Sequence, residues 1–123
     1  MQLSLDPAEV KGFLDPQEGA RLYDLARQAV PLGPCLEVGS YCGKSTLYLG
    51  AGVKSAGGQL FALDHHRGSE EHQFGEEYHD PELFDAQLQR MDSLPSFRRT
   101  LAQAELEDTV VPLVAASAQA GRY

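Results

Sequence analysis

Apolar residues recur at helical spacing from Leu22 through Leu25 and Ala26 to Ala29, predicting a helix that opens at Asp15-Pro16 and closes before Pro31-Leu32-Gly33-Pro34. Residues 1–15, with an Asp-Pro and a Lys-Gly step, read as irregular with at most a short helical turn. The run 35–39 is a short apolar strand broken by one acid, Glu37. A second helix is expected from Gly43 to about Val53, with Leu47, Leu49 and Val53 available to pack on a sheet. Gly57-Gly58 makes a turn, and Gln59–Leu63 a short buried strand ending at Asp64. Strand, helix and strand at this spacing predict a right-handed parallel crossover. The stretch 65–80 is irregular and polar. Helices are then expected over 81–91, with Phe84, Leu88 and Met91 on one face, and over 96–107, separated near Pro95. Leu101 and Ala104, joined by Phe97 and Leu106, form the buried face of the second. The last strand runs 109–115, and Pro112 inside it argues for an edge position or a bulge.

Composition narrows the function classes. With 123 residues, 42% of them hydrophobic, the chain suits one domain with a modest core. A formal charge of −8 argues against a nucleic-acid phosphate surface or an anionic membrane as partner. No apolar run is long enough for a spanning helix, and the N-terminus lacks a signal-peptide pattern. Cys35 and Cys42 are too few for a disulfide framework; reduced thiols in a cytoplasm are the expectation.

The chemistry concentrates between strand and helix, in Glu37-Val38-Gly39-Ser40-Tyr41-Cys42-Gly43-Lys44-Ser45. Gly39 permits a sharp turn, and Gly43 lets the backbone approach without a Cβ in the way. A phosphate-binding loop would need its opening glycine where Val38 stands, and the dinucleotide pattern would need one at Tyr41. The Glu37 carboxylate repels phosphate and accepts hydrogen bonds from an amine or ribose hydroxyls. A ligand with a cationic, hydroxyl-bearing face is therefore favoured over a triphosphate. Asp64 lies 25 positions beyond Gly39, a spacing suited to gripping ribose hydroxyls; a helix cap or exposed turn is the alternative.

This loop resembles the first motif of class I S-adenosylmethionine (SAM) dependent methyltransferases, in the O-methyltransferase-like branch whose motif reads E-[IV]-G-[ST]-Y-x-G-x-S. Gly12–Gly19, with Leu22-Tyr23 and Ala26, is similar to the preceding helix of that family; Leu60–Asp64 resembles its second strand, and Val110–Ala118 its third strand and the turn beside the adenine. The resemblance implies an α/β, Rossmann-like fold of three α/β/α layers around a parallel sheet, with residues 1–123 as the N-terminal portion of a single domain truncated after the third strand. It implies SAM as cofactor, with Glu37 and Gly39 near the methionine end. Ser40, Tyr41, Gly43 and Ser45 line the loop, Tyr41 being equally readable as packing, while Lys44 faces solvent. Asp64 and the adjacent His65 are placed toward the adenosine, and Ser117 and Ala118 beside the adenine.

The activity implied is methyl transfer to an oxygen or nitrogen of a small-molecule acceptor; the alternative is a non-catalytic SAM-binding or interaction module. No residue reads as the catalytic base. His65, His66, His72 and His79 cluster within fifteen positions, but their spacing matches no structural zinc pattern, so no metal is assigned. In the family the spatial order begins 3-2-1-4, which would leave strand 35–39 as an unpaired apolar edge and favour a homodimer through it.

Overall fold

The computed structural model describes residues 1–68 and 80–122. A first helix, α1 (Pro16–Ala29), is capped by Asp15, whose carboxylate accepts from the Gln17 N–H. It leads through a 3-10 turn into strand β1 (Cys35–Val38), helix α2 (Lys44–Ser55) and strand β2 (Leu60–Asp64). After residue 80 come two short strands, β3 (Phe84–Asp85) and β4 (Arg90–Met91), then helix α3 (Leu94–Gln103), strand β5 (Val110–Val114) and the single turn α4 (Ser117–Ala120).

Strands β1, β2 and β5 form a parallel sheet in that order, with Cys35 opposite Leu60 and Leu60 opposite Val110. Among the described residues both β1 and β5 are edges, and Pro112 lies in β5, where a missing donor can face away from the ladder. Alternation puts Cys35, Glu37, Leu60, Ala62 and Val110 on one face, against α2. Glycines let α2 approach its neighbours closely. A Cβ on Gly50 would stand 2.8 Å from Leu106, and one on Gly52 only 2.4 Å from the Tyr23 carbonyl oxygen of α1. The core joins Leu47, Val53, Leu60, Phe97, Leu101, Leu106 and Val110.

The opposite face carries Leu36 and Val38, 62% and 58% exposed, beside half-buried Phe61 and Val111. Among the described residues the long helices serve one face, so two of the three expected layers are present. Parallel sheets normally have both faces covered, and this one leaves the Leu36 and Val38 face open.

Three expectations need correction. Residues 81–91 are not a helix: Asp80 caps a 3-10 turn, and the Asp85 carboxylate accepts from the N–H groups of Gln87 and Leu88. Such local side-chain bonds compete with the helix ladder, and the chain folds into a hairpin pairing Phe84 with Met91. Met91 is buried, but Leu88 is exposed. Second, α3 begins at Leu94 and takes Pro95 into its first turn, where a missing N–H costs nothing; it ends at Gln103, short of 107. Third, α1 buries Tyr23 and Ala26 while Leu25 stays exposed.

Candidate functional site

The loop between β1 and α2 is built from left-handed backbone. Gly39 has φ 87°, Tyr41 φ 50° and Gly43 φ 95°. The Gly39 N–H bonds the Leu63 carbonyl at 2.8 Å, and the Gly43 N–H closes a turn onto the Ser40 carbonyl at 2.9 Å. The two glycines serve different ends. A Cβ on Gly39 would point into space with nothing within 4 Å, whereas one on Gly43 would crowd Thr100 at 3.1 Å and Phe97 at 3.3 Å. Gly43 thus admits α3, whose Thr100 hydroxyl also donates to the Cys42 carbonyl at 2.7 Å.

Glu37 does not stand open at the mouth of the loop. It is buried, and its two carboxylate oxygens accept from the hydroxyls of Ser45 and Thr46 in the first turn of α2. Burial pushes its pKa up; the hydroxyls of Ser45, Thr46 and Ser40 partly counter that. Its main role in this geometry is to tie the end of β1 to the start of α2. Ser40, although near the carboxylate, leaves its buried Oγ without a partner of proper hydrogen-bond geometry.

Asp64 ends β2 beside the loop. One carboxylate oxygen accepts from the Tyr41 N–H at 2.7 Å and the other from the His66 N–H at 2.9 Å. Burial alone would raise its pKa, but these two backbone donors, together with the neighbouring His66 and His65 rings, outweigh it and hold the carboxyl below its usual range. An ionised, oriented carboxylate results, each oxygen keeping lone-pair capacity for a further donor. The Ala115 N–H bonds the Asp64 carbonyl at 3.2 Å, bringing the start of the Ser117–Ala120 turn to the same end of the sheet. That end is where ligands bind in open parallel α/β sheets.

The structure therefore gathers Glu37, Gly39, Ser40, Tyr41, Gly43, Ser45 and Asp64 around one loop. His65 lies beside it, exposed, its Nδ1 accepting from the Arg67 N–H at 2.8 Å. Ser117 and Ala118 are exposed on their turn. Lys44 departs from the solvent-facing expectation: it is half-buried, and its Nζ reaches the Gly12 carbonyl at 3.4 Å, so the N-terminal segment lies over the loop. Lys11 anchors that segment by ion pairs to Asp80 and Glu82, both at 2.8 Å. His72 and His79 fall outside the described residues, among which no group of three or more His, Cys, Asp or Glu side chains is placed to hold a metal. Both cysteines are free thiols, and burial pushes that of Cys42 up.

Sequence reasoning missed Thr46, which helps hold Glu37, and the buried pair His66 and Ser93, whose Nδ1 and hydroxyl lie 2.7 Å apart. Two consecutive hydroxyls one turn after a strand acid were the available signal for Thr46. Nothing local distinguished His66 from the exposed His65.

Comparison with known proteins follows the same outline. A family model described as a methyltransferase domain matches residues 36–122. Among solved structures, the cofactor-bound Rv0187 from MTB superposes with a TM-score of 0.57 at 20% identity, covering 91% of this chain and 40% of its own. A candidate O-methyltransferase from Klebsiella pneumoniae superposes with a TM-score of 0.57 at 21% identity, covering 92% of this chain and 40% of its own. The chain thus spans about 40% of the length of each of these two structures, and at such identities the likeness is one of fold.

Proposed function

This chain belongs to the methyltransferase-domain family, and from that premise we propose that residues 1–123 form the SAM-binding, N-terminal portion of a class I domain. The reaction is methyl transfer to an oxygen or nitrogen of a small-molecule acceptor. The observation that carries this reading is the oriented Asp64 carboxylate, fixed by backbone donors beside the open side of Gly39.

SAM fits the residues present. Asp64 would take the ribose hydroxyls, and the unmatched Ser40 Oγ and the open side of Gly39 would meet the methionine end. Tyr41, Gly43 and Ser45 shape the loop, Glu37 holds it, and His65, Ser117 and Ala118 flank the adenosine. SAM when bound supplies an electrophilic methyl on a sulfonium. The chain's contribution is to orient that group, the source of rate expected for a displacement that needs little covalent help from protein. The two thiols and the acidic charge suit a cytoplasmic setting. Self-association through the exposed β1 edge belongs to the same reading.

A second reading, a non-catalytic SAM-binding or interaction module, is favoured by the exposed apolar face at Leu36 and Val38. Calorimetric titration with SAM, and in parallel with ATP, tests the site. SAM binding that disappears in Asp64→Ala, with no response to ATP, is expected. Binding of ATP, or SAM binding indifferent to Asp64, would refute the assignment. A methyl-transfer assay on the SAM-binding chain then separates enzyme from module.

A further inference from the structure

His66 has a buried side chain that the reading above leaves unused. It is 1% exposed, and its backbone, at φ 63°, is left-handed, a conformation that a residue with a Cβ adopts only when its surroundings hold it there. Its N–H donates to Asp64, and its carbonyl accepts from the Ser93 N–H at 2.9 Å. The imidazole packs against Phe97 with centroids 5.1 Å apart, and Nδ1 lies 2.7 Å from the Ser93 hydroxyl. Ser93 sits at the N-cap of α3 without making a side-chain cap bond, so its hydroxyl serves the histidine instead. Nε2 is buried without a hydrogen-bond partner of full geometry, although the Tyr41 backbone lies beside the ring.

We propose that His66 is a positioning residue for the Gly39–Gly43 loop, carrying its proton on Nε2 toward the Tyr41 carbonyl while Nδ1 accepts from the Ser93 hydroxyl. A carbonyl can only accept, so it selects an N–H at the ring nitrogen facing it, and the hydroxyl is free to donate to the other. Tyr41, itself left-handed, is then held from both sides by the end of β2: its N–H by Asp64 and its carbonyl by His66. Because the Nε2 donor is not fully matched, a small tightening of the loop satisfies it, which couples the histidine to whatever the loop closes on. The groups facing the ring are Asp64 and Asp92, which favour a second proton, and His65 and the buried surroundings, which oppose it.

The identity of the closing ligand rests on the SAM reading; the tautomer and the loop contact do not. Long-range 1H–15N spectra of the full chain should show the imidazole protonated at Nε2, with the Tyr41 amide shift following its titration. A proton on Nδ1, or a Tyr41 amide indifferent to that titration, would overturn the proposal. For cofactor coupling, His66→Gln keeps a donor near the Nε2 position and should bind SAM within about threefold of the parent. His66→Leu should lose about tenfold or more, the value of one ordinary hydrogen bond. Equal behaviour of the two variants would reduce the residue to packing and sink the coupling. If His66→Leu does not fold, Ser93→Ala replaces it: the Tyr41 carbonyl still selects the N–H facing it, so the proton should stay on Nε2, and a proton found on Nδ1 would refute the scheme. A parent chain that shows the Nε2 tautomer and the Tyr41 response but ignores SAM would refute the cofactor reading alone.

Discussion

Asp64→Asn isolates what the oriented carboxylate does. In the parent, two backbone N–H groups, of Tyr41 and His66, each end on a separate carboxylate oxygen. An asparagine presents one oxygen and one NH2, so one of those donors must face another donor. Hydrogen bonds to a charged partner contribute about 1.5–3 kcal/mol each, and a donor left unmatched costs about 1–3 kcal/mol. A loss of about 2 kcal/mol is expected, and at this chain length each kcal/mol moves Tm by roughly 3–5 °C, giving a fall of about 6–10 °C. The effect carries a pH signature. The folded-state pKa of Asp64 is lowered, so its stabilisation is present above the unfolded value of 3.8 and disappears as pH falls through the still lower folded value. Urea unfolding of parent and variant across pH should therefore show curves separated at pH 7 that converge in acid. Equal midpoints at pH 7, or a constant separation down to the lowest pH at which both fold, would refute the account of Asp64 as a backbone-held carboxylate. SAM affinity, measured on the same samples, should fall as well, since the oxygen that remains is needed by the loop.

Other perturbations probe the supports of the site. Gly52→Ala should destabilise by about 2–3 kcal/mol or prevent folding, because its methyl would meet a backbone oxygen, whereas Gly50→Ala should cost less because the tip of Leu106 can move; thermal melts giving the reverse order would contradict this packing. Glu37 has a raised folded-state pKa, so its ionisation weakens the fold as pH rises from the unfolded value of 4.5 through the folded one; Glu37→Gln should flatten that decline in a pH series of unfolding curves. Leu36→Lys and Val38→Lys, both on the open face of edge strand β1, should leave the unfolding free energy within about 1 kcal/mol of the parent while reducing self-association in sedimentation; unchanged sedimentation would remove β1 as the associating surface.

The order of elements, the parallel α/β class and the loop that carries the candidate site follow from local pattern. A capped amphipathic run, a five-residue apolar strand and a glycine pair four positions apart around a turn need few long-range contacts to be recognised, and the Gly39-to-Asp64 spacing survives in three dimensions as two adjacent strand ends. The same periodicity misled over 81–91, because Phe84 and Met91 fall on one side of a hairpin as well as of a helix, and the Asp85 turn decided between them. Tertiary structure alone decided where the polar groups point. Glu37 read as a ligand acceptor, yet the hydroxyls of Ser45 and Thr46 reach it only once α2 packs on β1. Gly43 read as room for a ligand, yet it is α3 that fills the space. His66 gained its side-chain partner from Ser93, 27 positions away. Backbone conformation is largely a local matter of allowed dihedral angles and burial pattern, whereas a hydrogen bond across elements exists only after the chain has brought its two ends together.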